Sequence, residues 1–227
     1  MKFRFLLFSY LLFFYFLATA TDVTSLSEAL KNPTQVTSLN LSGSGLTALP
    51  ESIAKLTNLE RLNLSGNSLS TLPAGMFTLK KLKHLNLTRN KLASLPPAIG
   101  QLKTLEELEL GFNFFKTLPK EIGNLTKLTR LAAPKNSLTT LPIEFAKLTG
   151  LQIVDFTYNL FSNFPVALCG AFSLLSADFS FCKSLSQVPG DIKNLIRMKL
   201  LNIKNTKVSA AQVDELMWII PECQIML

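Results

Sequence analysis

Catalytic side chains are scarce in this chain of 227 residues, which carries one histidine, one tryptophan and three cysteines. His84 has no nucleophile in a recognisable motif with it, so triad chemistry finds no support. No glycine-rich loop follows a strand pattern, and no Cys/His group has metal-ligand spacing. An odd number of cysteines cannot make a complete disulfide framework. Cys169, Cys182 and Cys223 fall at different positions of the repeating pattern described below and are expected as buried free thiols. The sequence therefore predicts no enzyme, no cofactor and no metal.

Long apolar runs are also few. The main one lies in residues 1–20, MKFRFLLFSYLLFFYFLATA, where Lys2 and Arg4 precede an apolar run of 13 from Phe5 to Leu17. Ala18-Thr19-Ala20 follows as a small-residue cleavage site, so the segment reads as a secretory signal peptide cut after Ala20. The run is shorter than the roughly 20 residues that a membrane-spanning helix needs. An uncleaved anchor is the alternative, and no later stretch can span a membrane. The formal charge is +8; removing Lys2 and Arg4 leaves 21 basic against 15 acidic residues, a net +6. Lys55, Lys80, Lys103, Lys120, Lys127 and Lys147 recur in the second half of each repeating unit, a solvated outer face rather than a nucleic-acid site.

What the chain has in abundance is a period. Residues 59–81 read LERLNLSGNSLSTLPAGMFTLKK, residues 82–104 LKHLNLTRNKLASLPPAIGQLKT, and residues 105–127 LEELELGFNFFKTLPKEIGNLTK. Units of 23 residues begin at Val36, Leu59, Leu82, Leu105, Leu128 and Leu151, and further units begin at Leu174 and Met198. A period of this size decides the architecture before local propensity does. The seventh unit is one residue longer, which predicts a bulge near Lys183 to Ser186. The common pattern is L-x-x-L-x-L-x-x-N-x-L-x-x-L-P-x-x-I-x-x-L. It resembles the leucine-rich repeat family over residues 36–208, in the 23-residue type shared by bacterial proteins, plant Ras-group-related proteins and animal Ras-scaffold relatives.

The resemblance implies an α/β right-handed solenoid of about eight repeats, with a parallel sheet on the concave side. Positions 4 and 6 of each unit point inward from a short strand, and positions 1, 11, 14 and 21 fill the interior from the other sides. One unit cannot bury this set alone, so stability resides in neighbour interfaces. Position 9 holds Asn67, Asn90, Asn113, Asn136 and Asn159, whose carboxamides can satisfy backbone groups turned away from water. Ser44, Cys182 and Thr206 stand there in the other units, where this ladder is expected to weaken. A proline follows position 14 in seven units, from Pro50 to Pro189, and suits the start of an irregular outer turn.

Residues 21–35 read as an N-terminal cap with a capping box at Ser25 and Glu28 and a helix from Leu26 to Lys31. Residues 209–227 read as a C-terminal cap. Ser209 and Gln212 make a second capping box, and a helix from Ala210 to Ile220 presents Val213, Leu216, Met217 and Ile220 to the last coil. A final strand over Cys223 to Leu227 is possible, and Trp218 has no assigned place. Asn-x-Ser/Thr sequons at Asn40, Asn63, Asn86 and Asn124 read mainly as repeat grammar.

Function is expected on the outward positions 3, 5, 7, 8 and 10 of each unit. Phe112, Phe114, Tyr158, Leu160 and Phe181 form an aromatic and aliphatic strip there, rimmed by Arg89, Arg130, Lys135, Glu107, Glu109, Asp155 and Asp178. Exposed apolar strips rimmed by charge mark interaction sites. The competing expectation is self-packing, with Tyr158 on Phe181 and Phe112 covered by Arg89 or Lys135. The sequence thus predicts a secreted or periplasmic monomer that binds a protein or peptide on its concave face, with no nucleic acid and no membrane span after leader removal. A glycan-binding surface protein is the alternative. An intracellular Ras-group-like scaffold is another, should residues 1–20 not be a leader.

Overall fold

The computed structural model describes residues 23–227, so the expected signal peptide lies outside the described residues. Each repeat contributes one three-residue strand from positions 3 to 5. These are β1 (Ser38–Asn40), β2 (Arg61–Asn63), β3 (His84–Asn86), β4 (Glu107–Glu109), β5 (Arg130–Ala132), β6 (Ile153–Asp155), β7 (Ser176–Asp178) and β8 (Leu200–Asn202), with β9 (Gln224–Met226) after them. All pair in parallel and in chain order within one open sheet. The register follows the period, as in Leu39 opposite Leu62 and Leu85 opposite Leu108. Between strands the chain crosses the other side through 3₁₀ turns such as Glu51–Lys55, Pro97–Gln101 and Ile143–Lys147. Each follows a proline held near φ −70°, as at Pro73 and Pro96, because the ring fixes that torsion and leaves no amide unpaired.

The core is one continuous cluster running the length of the coil. Leu62, Leu85, Leu108 and Leu131 stack in register beneath the sheet and are fully buried. In repeats six and seven the filling changes to aromatic. Phe156, Phe161, Phe164 and Phe179 meet with centroids 5.0–5.6 Å apart, in edge and tilted arrangements. These offset geometries suit the ring quadrupole. The outer turns pack closely as well: an added Cβ at Gly123 would stand 2.7 Å from the Glu144 Cβ.

Position 9 forms the expected ladder. Asn113 Oδ1 accepts from the Leu92 amide at 3.0 Å, while its Nδ2 donates to the carbonyls of Leu87 and Leu110 at 2.9 and 3.0 Å. Asn67, Asn90, Asn136 and Asn159 repeat this arrangement. At Cys182 a thiol stands in for the carboxamide, and it donates to the Phe156 carbonyl at 3.3 Å. The extra residue of repeat seven is taken up in a turn closed by the Leu185 amide on the Cys182 carbonyl, 2.9 Å. All three cysteines are free, Cys169 and Cys182 buried and Cys223 half-buried.

The caps differ in detail from their sequence patterns. Helix α1 spans only Leu26–Ala29, because a 3₁₀ turn at Pro33–Gln35 takes over. Ser25 caps it, but Glu28 pairs with Lys31 at 2.6 Å instead of returning to Ser25. Val23 bridges to Leu39 and so pairs the first strand edge. Helix α2 spans Ala210–Ile219 with Ser209 as its cap. Gln212 turns to the Val188 carbonyl at 3.3 Å, so the second capping box is also one-sided. Val213, Leu216 and Ile220 are buried as expected, but Met217 is not, and Trp218 is 88% exposed. Among the described residues no helix is long and apolar enough to cross a membrane.

Candidate functional site

The expected partner-binding residues separate into two zones. Glu107, Glu109, Arg130 and Asp155 lie on the strands, with Asp178, and their side chains project from the sheet face at positions 3 and 5. Arg89, Phe112, Lys135, Tyr158 and Phe181 occupy position 8, and Phe114 and Leu160 position 10. These lie past the strand ends, in the turns along one flank of the sheet. The strands are shorter than the outward pattern suggested, which is why the strip sits beside the sheet and not on it.

On the sheet face the acidic groups are engaged. Asn86 Nδ2 donates to Glu109 at 2.7 Å, and Asn202 Nδ2 to Asp178 at 2.9 Å. Asp155 and Asp178 each accept the amide two residues on, from Thr157 and Ser180. Burial pushes the Glu109 carboxyl up, and Glu107 and Asp155 add to this while Arg130 opposes it. Burial also raises Asp155, whose like-charged neighbour Asp178 stands directly opposite, while the Thr157 hydrogen bond opposes the shift. Glu107 moves the other way, held down chiefly by its hydrogen bond from His84, with Nδ1 3.3 Å from the carboxylate. His84 therefore acts as a cross-strand partner.

The flank is built differently. The amide of each position-8 residue still donates to the next coil, as in Phe112 to Pro134 and Tyr158 to Ser180. Immediately afterwards the chain turns inward to the asparagine ladder. That turn requires a left-handed backbone, with φ of 56° at Arg89, 54° at Phe112, 51° at Lys135, 56° at Tyr158 and 61° at Phe181. Gly43 and Gly66 hold the same place in the first two repeats, and Asn205 in the eighth. Glycine and asparagine accept this conformation with little strain, whereas larger side chains do not.

The five large side chains form a stacked column. The Arg89 guanidinium carbon lies 4.6 Å from the Phe112 centroid, and Lys135 Nζ lies 4.9 Å from it on the other side. The same ammonium lies 5.0 Å from the Tyr158 centroid. Tyr158 and Phe181 stack at 4.4 Å with ring planes 4° apart. The self-packing expected as the competing arrangement is therefore present, yet the column stays open to solvent. Phe112 is 37% and Tyr158 45% exposed, and beside them Phe114 and Leu160 are 60% and 54% exposed. Phe181 is only half-exposed, behind Tyr158. A separate groove of about 440 Å³ lies between repeats five and six, where the chain enters the outer turns, and is lined by Thr139, Thr140, Ile143, Ser162 and Val166 among others. The signal for this column was legible at Gly43 and Gly66, since glycine at one fixed register announces a left-handed turn there. Among the described residues no group of His, Cys, Asp or Glu is arranged to hold a metal ion.

Known proteins bear on this architecture. A family model described as a leucine-rich repeat region matches residues 20–132 and 76–161. No curated protein matches the chain in sequence. Among solved structures, a leucine-rich repeat protein of Leptospira interrogans superposes with a TM-score of 0.54 at 18% identity, covering 91% of this chain and 99% of that one. The leucine-rich repeat domain of the type III effector XopL gives 0.71 at 24% identity, over 83% of this chain and 67% of that one. The plant peptide hormone receptor RGFR1, solved in complex with RGF2, gives 0.64 at 27% identity over 85% of this chain but only 36% of its own. The repeats, the family match and the shared fold lead to one assignment: the chain belongs to the leucine-rich repeat family.

Proposed function

We propose that the chain is a secreted or periplasmic, non-enzymatic binding protein that holds a protein or peptide ligand through the position-8 column and its neighbours Phe114 and Leu160. The observation that carries this is the strain in the column. A non-glycine residue in the left-handed region costs on the order of 1 kcal/mol, so the five together cost about 5 kcal/mol. Their cation–π and ring-stacking contacts return about 0.5–1 kcal/mol each at exposed sites. The four contacts roughly offset the strain without exceeding it. Stability alone thus gives no reason to replace glycine by Arg, Phe, Lys, Tyr and Phe at successive turns, and a recognition surface does. RGFR1, a peptide hormone receptor on the same kind of coil, lends analogy to a peptide ligand.

The experiment is capture of ligands from extracellular or envelope fractions on the immobilised chain, compared with a Phe112→Gly/Tyr158→Gly variant. The expected result is a discrete set of captured proteins or peptides that the variant loses while it stays folded by circular dichroism. The same set on both proteins sinks the proposal. Secretion is tested separately by N-terminal sequencing of the mature protein, which should begin at Thr21.

A further inference from the structure

We infer that the flank carrying the position-8 column is a docking surface for an extended acidic polypeptide segment with interspersed apolar side chains. This rests on the binding function proposed above and names the chemistry of its ligand. The first observation is a segregation of charge. The flank is built from segments 42–48, 65–71, 88–94, 111–117, 134–140, 157–163, 180–186 and 204–210, and no Asp or Glu occurs in any of them. Arg89, Lys91, Lys116, Lys135 and Lys183 are all there and all exposed. Glu109, Asp155 and Asp178 lie around the corner on the sheet, where Asn86, Asn202 and backbone amides engage them. Like charge on the sheet face also repels an acidic ligand from it, which confines that ligand to the flank.

The second observation concerns ring faces. Phe112 is covered on both sides by Arg89 and Lys135, and Tyr158 by Lys135 and Phe181. Sugar rings and nucleobases need an open aromatic face for stacking, and here the faces are taken. What points outward is ring edges, which carry the positive end of the quadrupole, together with cationic heads. Both attract carboxylates. Phe114 and Leu160, two places further along the same turns, offer the apolar contacts beside them.

The third is length. Arg89 to Phe181 crosses successive strands about 4.8 Å apart, a column of roughly 19 Å that matches about six extended residues at about 3.3 Å each. A short segment can thus cross the whole column, its carboxylates meeting Arg89 and Lys135 and its apolar side chains meeting Phe114 and Leu160.

The test is to pan a random-peptide phage-display library on the full mature chain and measure the enriched peptides by fluorescence anisotropy. The expected peptides carry an excess of Asp and Glu with apolar residues between them, and bind more weakly at high salt. Arg89→Glu/Lys135→Glu should weaken them roughly tenfold or more, as two attractions become repulsions, while Lys103→Glu/Lys127→Glu on the outer turns leaves them unchanged. Enriched peptides without acidic excess, or acidic peptides indifferent to the flank reversal, overturn this inference and leave the peptide-binding function standing. Binding of heparin or single-stranded DNA in place of peptides overturns it in favour of another polyanion. A library that yields no binder removes both proposals.

Discussion

Replacing Phe112 by glycine and, separately, by alanine isolates the strain on which the functional assignment rests. Both variants lose the contacts with Arg89 and Lys135. At about 0.5–1 kcal/mol per exposed cation–π contact, that is a loss of about 1–2 kcal/mol. The backbone at φ 54° does not change its requirement, so alanine retains the left-handed penalty and glycine escapes it. Alanine should therefore destabilise by about 1–2 kcal/mol, and glycine by about 1 kcal/mol less. For a chain of this size 1 kcal/mol moves the midpoint by about 2–4 °C. Thermal unfolding followed by circular dichroism should place Phe112→Gly above Phe112→Ala by that interval, reversing the usual advantage of alanine. Equal midpoints, or alanine above glycine, refute the strain and remove the reason for treating the column as a recognition surface.

Two further outcomes follow from the interior and the sheet face. Asn113→Ala leaves the Leu92 amide and the Leu87 and Leu110 carbonyls without their buried partner, and should destabilise by about 2–4 kcal/mol in urea unfolding; a change under 1 kcal/mol would mean that the ladder carries little. Glu109 has a folded-state pKa raised chiefly by burial, so its contribution favours the fold below its ordinary value of 4.5 and is lost as pH rises through the raised value. Glu109→Gln removes that loss and keeps an acceptor for Asn86, so the variant should be more stable than the parent at neutral pH and equal to it in acid. Stability curves against pH that run parallel would contradict this assignment.

How much was legible beforehand depends on whether a feature is periodic or local. The core, the strand register and the asparagine ladder repeat every 23 residues, so each unit confirms the next. The caps occur once, and there the patterns misled. Glu28 and Gln212 match a capping box, but Lys31 offers the first a charge and the Val188 carbonyl offers the second a bond across the coil. Met217 stands at a helical spacing that suits burial, yet it is left exposed while Ile219 packs against the core beside Val213, Leu216 and Ile220. The aromatic strip was visible as residues, but its position was not. A pattern of alternating outward residues extends naturally through position 10, whereas the strand stops at position 5 and the chain then turns left-handed at position 8.

That turn has a consequence for how such a surface is built. The position-8 amide keeps its bond to the next coil whatever its side chain, since Gly66 donates to Thr88 as Phe112 does to Pro134. Backbone pairing, core filling and the asparagine ladder all proceed through neighbouring positions. The side chain at position 8 is thereby released from every structural duty except tolerating the left-handed torsion. Its identity then acts on stability through two opposed contributions only, about 1 kcal/mol of strain per repeat and the roughly 0.5–1 kcal/mol that each stacking contact returns. A column whose members each approach that balance can vary in charge and shape while the coil stays the same, and this coil fills it with cations and aromatic rings from repeat three to repeat seven.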